Sequence, residues 1–395
     1  MNRRDFLQTG AAAAATLGIP ARSYAAIAGA NDRVRLGVIG LGRRAEVVCG
    51  GGFTQDPRVQ IVAVSDVYGQ KTATFQSRFS LNLSASDVLV DFHPMLDRKD
   101  VDAIFVATPD HLHVQLATAV LGAGKHIYLE KPTLHRWQER EALVNAAAKS
   151  RTVLQCGTQQ RSGAHYVHAK QEFFDSGKLG DVVFVRAVWS NFPWQRRVIP
   201  NEPKPADLNW NLFLGPAPKV PYETARYSSW RSYHDYGNGV LADILTHWVD
   251  VAQWMLNDDQ PVNAVAFGGD YQLHDDRDNP DTVSAVLKYK NWILNFESFV
   301  LSLRNPTPSV LFQGTKGSLD LSRSGYTYMP LEGEPVKFKS DENLELAHTK
   351  NFIDAVLNGG TPSAPLSAGM SATVPVQMAL LSYWSHKIVT RQDLG

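Results

Sequence analysis

The sequence predicts an α/β domain followed by an α+β domain: a parallel, dinucleotide-binding type of sheet, then an open-faced, mostly antiparallel one. Three observations carry this. Apolar strand patterns alternate with helix-length patterns from Val34 to about Gln155, as parallel βαβ units require. A glycine-rich turn joins the first strand to the first helix. Beyond Gly157 the pattern changes to strands separated by hairpin-type turns, with two helices at the end. These shifts place the first domain at 29–156 and the second at 157–395, whose closing helices can pack back on the first.

Residues 1–28 read as an address rather than as structure. Asn2-Arg3-Arg4-Asp5-Phe6-Leu7-Gln8 resembles a twin-arginine export signal, although Asn2 and Gln8 replace its usual Ser/Thr and Lys. A mild, Ala-rich run from Thr9 to Ile19 follows, with cleavage options after Ala25 or Ala28. The alternative is a chance arginine pair on a tail. The run is too short and too weakly apolar to span a bilayer, and no other segment approaches that length. The expectation is a periplasmic protein that uses the Tat export machinery and has no membrane span.

Val34 to Ile39 is a strand that runs into Gly40-Leu41-Gly42-Arg43-Arg44-Ala45, the Rossmann fingerprint in its required setting between strand and helix. Gly40 permits the turn, Gly42 the approach of a pyrophosphate, and Ala45 close packing; Leu41 and Arg43 complete the turn. The next strand, Val59 to Ser65, ends at Asp66, roughly two dozen residues past the glycines. A carboxylate there binds ribose hydroxyls and repels a 2′-phosphate, so NAD is the expected cofactor ahead of NADP. The alternative for Asp66 is a turn cap.

The alternation continues with a strand Val101 to Ala107 that ends at Thr108-Pro109-Asp110-His111. Thr108, Pro109 and His111 are expected at the cofactor crevice, His111 lining it or capping the next helix. His111 and His113 are two apart and make a poor metal pair. The short strand His126 to Leu129 ends at Glu130-Lys131-Pro132, and a lysine at the carboxyl end of a parallel strand sits where open α/β sheets bind ligands. The alternative is an exposed lysine at a strand end. A helix from about Trp137 to Lys149 and a strand Thr152 to Gln155 complete the series.

In the second half, Thr158 to Ser162 is polar and loop-like, Gly163 to Ser176 helical, and Val182 to Ser190 a strand. Asn191 to Gly237 is a long segment rich in Trp, Pro, Tyr and Arg, whose aromatics suit sugar rings or packing over the sheet. Gly237-Asn238-Gly239 opens a helix with Leu241, Leu245, Trp248, Ala252 and Met255 on its buried face. Asp243 and His247, four apart, share another face of it. Strands then run from about Val262 to Leu321, and helices from Leu344 to Leu357 and from about Ala368 to Val389.

Lys plus Arg and Asp plus Glu are equal at 39 each, which argues against nucleic acid as a partner. Cys49 and Cys156 are too few for a disulfide scaffold or a Cys-based zinc site.

Hydride transfer needs a nicotinamide, a proton acceptor and donors that hold the oxygen. His247 suits the proton, Asp243 can orient it or grip a sugar hydroxyl, and Lys131 can stabilise alkoxide charge. An Asp and a His four apart could instead hold a metal, but no third or fourth ligand accompanies them, so none is expected.

The fingerprint at Gly40, Asp66, Thr108-Pro109-Asp110-His111, Glu130-Lys131-Pro132 and Asp243-Ile244-Leu245-Thr246-His247 stand in the order seen in the Gfo/Idh/MocA oxidoreductases. The chain therefore resembles that family, which includes glucose-fructose oxidoreductase and inositol dehydrogenase. The resemblance implies an open-faced sheet domain that packs against another subunit, so a homo-oligomer is expected. It also implies catalytic roles for Lys131, Asp243 and His247, with Glu130 and Lys131 beside the cofactor. An exported protein meets little free NAD(P), so a tightly bound cofactor recycled on the enzyme is expected. The reaction is then oxidation at a CH–OH group of a sugar, glycoside or polyol. The alternative is an NAD-dependent glycosidase or lyase that oxidises C3 transiently and eliminates.

Overall fold

A computed structural model describes residues 33–190, 199–300 and 308–395. The export-signal stretch 1–28 lies outside them. The first sheet is parallel, built from β1 (Val34–Ile39), β2 (Val59–Ser65), β3 (Val88–Leu89), β4 (Ala103–Val106), β5 (His126–Leu129) and β6 (Leu154–Cys156) in the order 3-2-1-4-5-6. That order reverses between β1 and β4, which opens a crevice at their carboxyl ends. The strands are short and apolar because helices cover both faces; β4 is buried at every position. Helix α1 (Arg43–Gly51) follows β1, and α2 (His113–Gly122) joins β4 to β5. β4 starts two residues later than its apolar run, because Asp102 accepts the Arg35 backbone N–H at 2.8 Å and pairs with its guanidinium at 2.7 Å.

The second sheet has nine strands: β7 (Val182–Val188), β8 (Asn263–Gly269), β9 (Thr282–Lys288), β10 (Ile293–Phe299), β11 (Ser309–Gly314), β12 (Gly317–Ser322), β13 (Gly325–Pro330), β14 (Val336–Lys339) and β15 (Val389–Thr390). Their order is 14-13-12-11-7-10-9-8-15, and every pair is antiparallel except β7 with β10. Alternation along β8 to β12, broken only at the ends of β8 and β11, puts one face on the core and one outward. The inner face packs on α3 (Thr246–Leu256) in a core that includes Trp248, Phe296 and Phe312. The outer face exposes Val183, Phe267, Ile293 and Met329.

The predicted helix after Gly239 does not begin as an α-helix. Leu241–Leu245 form a π turn, and α3 starts only at Thr246. The predicted helix Gly163–Ser176 likewise changes from α at Ala164–Ala169 to π at Lys170–Asp175.

Both closing helices return to the first domain. α4 (Leu344–Asn358) puts Phe352 and Ile353 into the core under β1 and α1. α5 (Leu366–Ser385) lies along β8 and against β6. Among the described residues no helix is long and apolar enough to cross a membrane.

The aromatic-rich segment was expected over the sheet or at sugar rings. Its described part instead folds against the crevice edge of the first domain. Trp210, Phe213, Tyr233 and Tyr236 form a cluster of their own, flanked by Val67 and Tyr68. Leu208 bridges to Tyr68, Asn209 N–H donates to Val67 O at 2.8 Å, and Asp207 Oδ2 accepts the Gln70 N–H at 2.9 Å.

Candidate active site

The carboxyl ends of the parallel strands bring the predicted turns together. After β1 the chain turns at Gly40 with φ +83°, where a Cβ would meet the Ala107 carbonyl carbon at 2.8 Å. Gly42 caps α1 with no side-chain hydrogen bond, and a Cβ built on it meets nothing within 4 Å. Open backbone at the start of a helix suits a diphosphate, so the turn fits a dinucleotide. Leu41 is buried and Arg43 exposed. Thr108 and Pro109 close the turn after β4, where the Thr108 carbonyl lies 3.1 Å from His113 Nε2 and the Pro132 carbonyl 2.7 Å from its Nδ1.

Asp66 stands at the end of β2. Its Oδ2 accepts the Leu41 N–H at 2.7 Å and its Oδ1 the Tyr68 N–H at 2.9 Å. It therefore caps its own turn and ties down the glycine loop. Each oxygen keeps a second lone pair that a ribose hydroxyl can use.

Lys131 follows β5 and reaches into the other domain, where its Nζ donates to Asp243 Oδ1 at 2.5 Å and to Asp243 O at 2.7 Å. The π turn at Leu241–Leu245 shapes the backbone here. Arg231 Nε adds a bond to the same Oδ1 at 3.1 Å. Burial alone would raise the Asp243 carboxyl, but Arg231 and Lys131 reverse that and hold it below the usual carboxylate range.

His247 is buried beside them. Burial, then the Lys131 and Arg323 charges, push its imidazole well below the ordinary histidine range, so it is neutral at pH 7. Asp243 was expected to orient it or to grip a sugar hydroxyl. The hydrogen bond goes elsewhere: His247 Nδ1 meets Gln160 Oε1 at 3.1 Å, while Asp243 is engaged by the two cations. A carbonyl oxygen facing Nδ1 puts the ring proton there and leaves Nε2 as the acceptor.

Two other expected cofactor-side residues are engaged by partners within the protein. His111 Nε2 bonds the Phe213 carbonyl at 2.8 Å and its ring packs on Tyr236, so it fastens the aromatic segment. Glu130 is buried in an ion pair with Arg44 at 2.6 Å, and Arg44 in turn grips Glu345 of α4 at 2.8 and 3.0 Å.

Gln160 and Arg231 escaped the sequence reading, and Asp110 entered it only within the Thr108-Pro109-Asp110-His111 motif, with no role assigned. Gln160 lies just past β6, so the strand-end logic that found Lys131 applies to it equally. Asp110 is 4% exposed, and burial pushes its carboxyl up to about 8, with Arg231 opposing and Asp243 adding to the rise. Arg231 lies in the aromatic segment and carries no local signal.

Strand order, glycine turn and the Lys131–Asp243–His247 grouping define a dinucleotide-binding oxidoreductase with a second sheet domain. Comparison with known proteins agrees. Residues 34–158 match the oxidoreductase family with an NAD-binding Rossmann fold, 167–320 the GFO/IDH/MocA C-terminal domain, and 1–20 a twin-arginine translocation pathway signal sequence. The chain belongs to the Gfo/Idh/MocA oxidoreductase family.

Curated relatives include levoglucosan dehydrogenase of Pseudarthrobacter phenanthrenivorans, 27% identical over 51% of this chain and 44% of that protein. Another is 1,5-anhydro-D-fructose reductase of Ensifer adhaerens, 24% identical over 77% of this chain and 83% of that one. The chain spans about half the length of several curated relatives it matches. Among solved structures, levoglucosan dehydrogenase in complex with NADH and levoglucosan superposes with TM-score 0.72 at 18% identity, covering 91% of this chain and 99% of that one. At that identity the likeness is one of fold.

Proposed function

We propose that this protein oxidises a CH–OH group of a sugar, glycoside or polyol, using NAD(H) that stays bound and is recycled on the enzyme. The observation that carries the reading is the meeting of Lys131, Asp243 and neutral His247 at the carboxyl ends of the Rossmann strands. Bound NAD supplies the hydride acceptor. The Gly40–Arg43 turn, Asp66, Thr108 and Pro109 would hold it, with Glu130 anchoring the wall through Arg44.

His247 Nε2 takes the hydroxyl proton as the C–H bond breaks. Charging this buried ring is unfavourable, and the Asp243 carboxylate is the anion that offsets it. Lys131 Nζ, held by Asp243, has a third donor hydrogen to direct at the reacting oxygen. The twin-arginine signal supports export to the periplasm, and the exposed apolar outer face of the second sheet supports a homo-oligomer.

The test uses protein purified in its exported form. Released nucleotide is identified after denaturation, and reduced-nicotinamide absorbance is followed while the native protein meets sugars and glycosides. Bound NAD(H) that one sugar reduces and another reoxidises is the expected result. Aglycone release without lasting reduction would mean elimination instead, and protein that needs added NAD(H) would remove the recycling step.

A further inference from the structure

Trp189, at the end of β7, lies between His247 and an arginine from another part of the sheet. Its ring centroid is 6.0 Å from that of His247 and 5.7 Å from that of Trp248. The Arg323 guanidinium carbon is 4.7 Å from the same ring. Arg323 belongs to the turn between β12 and β13, so sheet order brings it to the His247 side.

The other cations of this region are matched. Lys131 and Arg231 share Asp243, Arg44 has Glu130 and Glu345, and Arg161 has Asp250. Arg323 is half-buried, and its Nε is shielded from solvent without a hydrogen-bond partner among the described residues. Glu345, whose field reaches it, is already held by both Nη atoms of Arg44. Among the described residues no carboxylate therefore lies within ion-pair reach of Arg323.

A partly desolvated guanidinium on an indole face, next to the candidate base, is poised for an anion. Its planar fork matches a carboxylate in two parallel hydrogen bonds. The cofactor's diphosphate has the Gly40–Arg43 turn. We infer that Arg323 is a specificity-determining residue and binds the carboxylate of a sugar acid, a uronate or aldonate whose carbon skeleton lies along Trp189. This rests on the oxidoreductase reading and narrows its substrate class.

The experiment takes the nucleotide-loaded protein and measures calorimetric binding of glucuronate and galacturonate against glucose and galactose. Turnover is followed in parallel, for the native chain, Arg323→Gln and Arg323→Lys. The acids should bind the native protein more tightly. Arg323→Gln should weaken acid binding about 10- to 100-fold and collapse the acid-to-neutral ratio. Arg323→Lys should keep part of the preference, and nucleotide affinity should change little in either variant. Equal native affinity for acids and neutral sugars would overturn the inference, as would an equal loss for both in Arg323→Gln. Loss of nucleotide rather than sugar acid would assign Arg323 to the diphosphate and also overturn it. Acids that bind through Arg323 yet never reduce the nicotinamide would sustain this inference and defeat the oxidoreductase reading.

Discussion

Lys131 and Asp243 stand 112 residues apart in the chain and meet at 2.5 Å across the two domains. The contact sets the lysine's position and joins the domains at the same point. Asp243→Ala would leave Lys131 and Arg231 without the carboxylate they share. We expect turnover to be lost and stability to fall by about 3–5 kcal/mol. Denaturant melts checked against Asp243→Asn, which keeps the shape and one acceptor, measure this; equal melts for all three proteins would refute it.

His247→Ala should lower turnover about 10²- to 10⁴-fold while nucleotide stays bound. Gln160→Leu removes the acceptor at Nδ1 and frees the tautomer, so it should reduce turnover less, with little effect on bound nucleotide. Single-turnover reduction of the bound nicotinamide reads both, and near-native rates in His247→Ala would assign the proton to another group.

Asp110 gives a pH signature. Its carboxyl titrates at about 8 in the folded protein and near 4 in an unfolded chain. Between those values the folded state binds the extra proton, so the stability contribution is full below about 4 and is lost as pH rises through 8. Asp110→Asn should therefore gain Tm relative to the native protein as pH goes from about 5 to 9. A pH-independent difference would show that the carboxyl is ionised throughout.

Asp66→Ala removes both a ribose acceptor and the tie to Leu41 N–H. Affinity for NAD(H) should fall about 10-fold and the preference over NADP(H) should narrow. Titration with the two cofactors decides it, and an unchanged preference would leave Asp66 a turn cap alone.

Replacing Arg3 and Arg4 together by Lys should hold the protein in the cytoplasmic fraction. Fractionation with a periplasmic marker measures this, and unaltered export would point to another route.

The sequence showed most where one strand or helix suffices to place a side chain. Gly40, Asp66 and Lys131 sit at strand ends, and the alternation of apolar runs located those ends. It showed least where a partner comes from afar. Glu345 reaches Arg44 from 301 residues away, and nothing local to either residue announces the pair. The His111 contact was equally hidden, because its partner, Phe213, belongs to a segment whose path no periodicity marks. Spacing suggested one helix face for Asp243 and His247, but helical geometry could not foresee the π turn or the cations that engage Asp243.

The seam between residues 66–70 and 207–209 has a kinetic meaning. Gly69 N–H, Gln70 N–H and Asn209 N–H all cross it. Were the proposed dinucleotide to lie beneath that seam, its release would require the seam to part, and its residence time would report a local opening rather than its affinity. Low denaturant, far below the global transition, should speed the loss of nucleotide, and stabilising osmolytes should slow it. Under the proposed export of the folded protein, such a clasp would let the cofactor travel as cargo.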